Sequence, residues 1–182
     1  MPAWGWILIL IVILALAAGA WFVTRERRTM QLKDRFGPEY DRVAGDTESR
    51  REAESELKER EARRDDLEIR PLDDDSRARY QDSWRDVQKQ FVDDPPGAVS
   101  MADSLLRSVM VDRGYPAEED FDRRAADVSV DHPQVVENYR KGRELARASS
   151  TGEATTEDLR NAMNHYRALF DELVGEREVE VR

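Results

Sequence analysis

One stretch constrains this chain more than any other: Trp4–Val23 contains no charged residue, and Arg25, Arg27 and Arg28 follow immediately. A hydrocarbon layer about 30 Å thick is crossed by roughly 20 helical residues at about 1.5 Å each. Trp4–Val23 has that length and carries Ile, Leu, Val or Phe at most positions. Together these side chains favour insertion by roughly 3–7 kcal/mol. Trp4 and Trp6 at one end and Trp21 at the other match the preference of indole for the headgroup level. A cleaved signal peptide has a basic start and a shorter apolar run, whereas here Met1, Pro2 and Ala3 precede the run. Ala15-Leu16-Ala17 and Ala18-Gly19-Ala20 still offer cleavage-type sequences. The sequence therefore predicts a single transmembrane helix, with a secreted or extracytoplasmic chain as the alternative.

Charge sets the expected orientation. Arg25, Arg27, Arg28, Lys33 and Arg35 crowd one flank and none precedes the run. Basic residues stay cytoplasmic, which places the N-terminus outside and the C-terminal domain in the cytoplasm. Trp4, Trp6, Trp21, Arg25, Arg27 and Arg28 are the expected membrane-interface residues. Ala15 and Gly19, spaced as small-xxx-small, allow weak homo-oligomer formation through the transmembrane helix.

The chain has 182 residues, no cysteine and a net charge of −10. Without cysteine there is no disulfide framework, thiolate metal site or cysteine nucleophile. The acidity lies beyond residue 36, where it repels phosphate backbones, so nucleic acid is not an expected partner.

Four segments follow from composition: anchor and basic juxtamembrane helix at 1–36, charged stalk or linker at 37–71, helical bundle at 72–174, and flexible tail at 175–182. Gly37-Pro38 marks a break. Residues 46–66 are mostly ionised and lack an apolar seam, which reads as a solvated helix or a loose stalk. Asp73–Asp75 cap the next helix, whose Tyr80, Trp84, Val87 and Phe91 share one face. That placement reads Trp84 as core rather than as a ligand platform. Asp93-Asp94-Pro95-Pro96-Gly97 breaks the chain, and a helix with Val99, Ala102, Leu106, Val109 and Met110 on one side runs to Gly114. A short helix around Phe121 and Ala125 leads to Asp131, read as the N-cap of a helix with Val135, Tyr139, Gly142 and Ala146 on one face. Ser149–Ala154 is a small-residue loop. Thr155 and Asp158 are spaced as a capping box before a stripe of Leu159, Ala162, Met163, Tyr166, Phe170 and Leu173. No strand-period run appears, so the predicted class is all-α.

Several strings are distinctive: Arg35–Arg42, Asp66–Leu72, Phe91–Pro95, Arg113–Pro116, Ser129–Pro133 and Tyr166–Phe170. Together they resemble a family of bacterial single-pass membrane proteins of uncharacterised activity. The resemblance implies the same layout of anchor, charged stalk and helical domain, and it assigns no activity, cofactor or catalytic residue.

Chemistry is sparse. The two histidines are His132 and His165. Asp131 and His132 form the candidate polar site, as an acid–base pair or half a metal site; a cap followed by a first-turn residue is the simpler reading. Neither histidine has a partner at ligand spacing, and no phosphate loop or nucleophile elbow occurs. The acidic runs Asp73–Asp75 and Asp93–Asp94 lack calcium-loop spacing. No cofactor and no enzymatic activity are expected. The reading is a membrane-tethered helical interaction or scaffold module whose partners are the lipid bilayer and a protein at the membrane. The alternatives are an extracytoplasmic envelope protein, or a metal-binding or enzymatic domain using Asp131 and His132.

Overall fold

The computed structural model describes residues 26–117 and 120–175, together with Ile13 and Leu16. Trp4, Trp6, Trp21 and Arg25 lie outside the described residues, as does the rest of the apolar run. Ile13 and Leu16 are both helical and more than half exposed. No helix among the described residues is long and apolar enough to cross a membrane. Among these residues the regular structure is entirely helical, as the sequence predicts. The chain divides into two compact units, Met1–Leu57 and Lys58–Arg182.

In the first unit, residues 26–36 are helical (α1), followed by α2 (Pro38–Asp46) and the start of α3 (Arg50–Asp65). Gly37 has φ 46°, a conformation that glycine adopts without a Cβ clash, and Pro38 opens α2 where its missing N–H costs nothing. Leu32, Phe36, Tyr40, Val43 and Ala53 are buried. Thr29 Oγ1 donates to Glu54 Oε1 at 2.7 Å, and Arg50 Nε reaches both Tyr40 OH and Glu54 Oε1 at 3.2 Å. Arg27 and Arg28 are exposed on α1. The charged stretch is thus helical, as one of the two readings expects, but it is not solvated on every side. Leu32, Phe36, Tyr40 and Val43 form an apolar series that runs through the Gly37-Pro38 turn, and reading that turn only as a break hides it.

In the second unit the rest of α3 is followed by α4 (Asp74–Asp93), α5 (Pro95–Asp112), α6 (Phe121–Asp131), α7 (Val136–Ser150) and α8 (Thr156–Gly175). The most extensive packing joins α7 to α8, α4 to α5 and α5 to α8. Local chemistry explains where these helices begin and end. Asp73 accepts from Ser76 N at 2.6 Å, Asp94 from Gly97 N at 3.0 Å and Asp120 from Arg123 N at 2.8 Å. Each satisfies an amide left without a partner at a helix start. Thr155 and Asp158 close the reciprocal box, with Asp158 N on Thr155 Oγ1 at 3.2 Å and Thr155 N on Asp158 Oδ2 at 2.8 Å. At the far end of α5, Tyr115 N reaches Met110 O and Gly114 N reaches Val111 O, both at 2.9 Å. That is the Schellman pattern, and Gly114 adopts the required positive φ of 103°.

The core contains Trp84, Val99, Leu106, Val109, Met110, Tyr139, Tyr166, Leu169, Phe170 and Leu173. Trp84 stacks on Phe170 with ring centroids 4.6 Å apart, so it serves packing as its register predicts. The C-terminus of α8 is closed by two buried arginines. Arg77 Nε donates to Val174 O at 3.0 Å, and Arg113 Nη1 to Leu173 O at 2.9 Å. Guanidinium groups satisfy these terminal carbonyls and sit at the negative end of the helix dipole.

Candidate functional site

The sequence singles out Asp131 and His132, and the structure corrects how they are used. Asp131 is the last residue of α6 rather than an N-cap, and His132 is the C-cap, with its N–H on Val128 O. The following helix begins only at Val136, and Val135 at its start makes no side-chain cap bond. Pro133 lies in the intervening turn. The apolar register of α6, with Ala125, Val128 and Val130 buried, carries the helix through Asp131. The capping tendency of aspartate loses to that burial.

The two side chains then diverge. Asp131 receives Arg64 Nε on both oxygens, at 2.7 and 2.8 Å, and Tyr115 OH at 3.1 Å. His132 is buried, and its Nδ1 lies 3.3 Å from Glu172 Oε1 on α8. An acid–base pair between Asp131 and His132 is therefore not assembled. His165 stands apart, with Nδ1 2.9 Å from Asn138 Oδ1; burial, and secondarily Lys141, push its pKa down. Among the described residues no group of three or more His, Asp or Glu is arranged to hold a metal ion.

Asp131 belongs instead to a polar seam between α3 and α6. Arg60 Nη1 donates to Ser129 Oγ at 3.3 Å, Arg63 Nε lies 3.5 Å from Asp127 Oδ1, and Arg64 holds Asp131. The residues come from successive turns of α3 and from alternate positions at the end of α6. Burial alone would lower the Arg64 pKa, but the hydrogen bond and charge of Asp131 outweigh it and leave the guanidinium raised. Burial pushes the Tyr115 hydroxyl up as well, reinforced by the charge of Asp131. Replacing Asp131 with asparagine is expected to cost about 1–2 kcal/mol, because a charge-assisted bond is lost from a partly exposed pair. Urea unfolding of D131N, R64A and the double variant measures this, with a coupling energy between the two sites as the expected signature.

A second cluster, which sequence reasoning did not single out, is centred on Asp103 of α5. Asp103 is 4 % exposed. Its Oδ1 accepts from Tyr166 OH at 3.3 Å, while Arg107 Nη2 at 3.2 Å and Arg143 Nη1 at 3.3 Å share Oδ2. Beside it, Tyr139 OH accepts from Arg124 Nε at 3.1 Å, and the Arg143 guanidinium lies 5.6 Å from the Phe121 ring centre. The α7 and α8 members of this cluster meet because α7 can approach α8 at Gly142, where an added Cβ would lie 2.5 Å from Tyr166 Cε1. Asp103 falls among the α5 residues that face inward, between Ala102 and Leu106. An acidic residue on an apolar face was the available signal. Arg107 and Arg143 open onto a cleft of about 330 Å3 between α5 and α7. Compared with protein-family models, the curated proteins and solved structures, the chain matches none of them.

Proposed function

We propose that this chain is a membrane-tethered helical interaction module. Residues 4–23 are its single transmembrane anchor, and the bundle is held in the cytoplasm beside a protein partner on the same membrane. The observation that carries this reading is the union, on one chain, of a 20-residue uncharged run with an arginine collar and a folded helical unit. The exposed helical positions of Ile13 and Leu16 support it, as do the exposed Arg27 and Arg28. Trp4, Trp6 and Trp21 would sit at the two interfaces, with Arg25, Arg27 and Arg28 against anionic headgroups on the inner side. Confinement to a surface raises the effective concentration of the module toward partners there, so modest contacts suffice for function.

The dispersal of Asp131 and His132 weighs against the enzymatic alternative. Asp131 is taken up by Arg64 and Tyr115, and His132 is enclosed against Glu172.

The test is fractionation of the full-length protein with a reporter fused to its C-terminus. Full-length chain in the membrane pellet, released by detergent and not by alkaline carbonate, with reporter activity of the cytoplasmic kind, is the expected result. Recovery in the aqueous fraction refutes the anchor. A pelleted chain with an external reporter signal keeps the anchor and inverts the topology, which favours the envelope-protein alternative. Replacing Arg25, Arg27 and Arg28 together with glutamine is expected to scramble that orientation.

A further inference from the structure

We propose that the cleft between α5 and α7 is a receptor site for a phosphomonoester group, held by Arg107, Arg143 and Arg147. Three arginines converge there on a chain whose net charge is −10. The carboxylate lining the cleft is Asp103, which already serves both Arg107 and Arg143 through one oxygen. Within the lining of this cleft, three guanidinium charges against one carboxylate leave an excess of two positive charges, the charge of a phosphomonoester dianion. Asp122, Glu144 and Arg140 line the neighbouring pocket that Arg143 and Arg147 also border.

Donor supply points the same way. A guanidinium carries five N–H donors in a fixed fork. Arg143 uses Nη1 toward Asp103, and Arg107 uses Nη2 toward Asp103 and Ser104 Oγ and Nε toward the Asp103 carbonyl, which leaves Nη1 of Arg107 for a ligand. Arg147, in the last turn of α7, makes no side-chain hydrogen bond or ion pair with any described residue. Glu144 stands one turn before it on the same helix, yet the two form no ion pair. The hydroxyl-bearing Ser100 and Ser149 line the same cleft. Tetrahedral phosphate oxygens can accept from several directions at once, and arginine forks match them in pairs.

The site is also held in place before any ligand arrives. Asp103 is buried and fixed by the Tyr166 hydroxyl, and Arg143 is placed by Asp103 on one side and the Phe121 ring on the other. An anion entering between Arg107, Arg143 and Arg147 relieves their mutual repulsion without reorganising the bundle. The volume of about 330 Å3 suits a phosphate with a small organic remainder. The phosphate could belong to a soluble metabolite-sized molecule or to a lipid headgroup, and the chemistry of the cleft is the same for both.

The test uses full-length protein in uncharged detergent micelles at low salt, titrated with inorganic phosphate and read by phosphorus line broadening and calorimetry. Saturable binding at millimolar phosphate or tighter is expected. Arg147→Gln should weaken it by about tenfold, since one charge-assisted contact is lost. Its helical circular dichroism should be unchanged, because Arg147 holds nothing in the fold. Arg85→Gln alters net charge equally, but Arg85 is exposed on α4 and paired with Asp82. It should change the affinity by less than about twofold. Absence of saturable binding overturns the proposal, and so does equal weakening by both variants, which would mark diffuse charge attraction. Adding phosphatidic acid to the micelles separates the sources. Displacement of free phosphate assigns the site to a headgroup, and retention assigns it to a soluble phosphomonoester.

Discussion

Replacing Gly142 with leucine is expected to unfold the helical bundle. Gly142 lies in α7 with the Tyr166 ring of α8 directly above it, and an added Cβ would sit 2.5 Å from Cε1 and 2.6 Å from Cδ1. Such separations are well inside van der Waals contact, so the ring must leave. Tyr166 is fully buried, its hydroxyl bonds Asp103, and its ring lies 6.3 Å from that of Tyr139. Expelling it resembles truncating a buried aromatic side chain, which costs about 3–5 kcal/mol. Overpacking by the remaining leucine carbons adds about 1–3 kcal/mol. The sum is comparable with the whole stability of a small domain. Alanine carries the same Cβ and meets the same ring, but it lacks the further leucine carbons and gains about 1 kcal/mol of helix propensity, so Gly142→Ala should be destabilised by about 2–4 kcal/mol, less than leucine. Urea unfolding followed by circular dichroism separates the two. A folded Gly142→Leu with an unchanged midpoint would mean that α7 and α8 do not meet at this glycine.

What the sequence reveals about this fold is mainly its local chemistry. Asp73, Gly114 and the Thr155–Asp158 box act through partners at most five residues away, so their roles can be read along the chain. The apolar stripes of α4, α5 and α8 are legible for a similar reason, because burial of one helix face imposes a period of 3.6 residues. The all-α class follows from those stripes.

The polar clusters were not legible, because their partners are distant in sequence. Arg64 meets Asp131 across 67 residues, Arg77 meets Val174 across 97, and Asp103 meets Tyr166 across 63. A charged residue in a charged stretch carries no mark of the partner it will find. Arg60, Arg63 and Arg64 therefore read as the solvated face of a stalk, although Arg60 is buried. The candidate pair failed for a related reason. Asp131 and His132 are adjacent in sequence, but adjacent residues on a helix project about 100° apart. Adjacency at the end of α6 thus sent one toward α3 and the other toward α8.

Alkali is expected to unfold the bundle in a steep transition about one to four units above pH 10, later and more cooperatively than exposed tyrosines would titrate. Tyr115, Tyr139 and Tyr166 are all buried. Burial is the largest cause raising each pKa. Asp131 adds to it at Tyr115 and Asp103 adds to it at Tyr166, whereas at Tyr139 the Arg124 hydrogen bond opposes it. A phenol whose pKa is raised by folding keeps its proton in the native state after the unfolded chain has lost it. Its contribution to stability is therefore complete below the unfolded value of about 10 and falls as the pH rises beyond it. Each such group removes about 1.4 kcal/mol per pH unit in that window. Three acting together remove roughly 4 kcal/mol per unit, which exhausts a stability of about 5–15 kcal/mol within a few pH units. Phenolate absorbance and far-ultraviolet circular dichroism should then change together, because these hydroxyls ionise only as the helices separate. Tyr115→Phe and Tyr166→Phe should move the midpoint to higher pH relative to their neutral-pH stability, since each deletes one titrating group. Phenolate absorbance that rises smoothly near pH 10 while the helical signal persists would show that the three rings are open to solvent, and would dismantle the packing of Tyr139 and Tyr166 around Asp103.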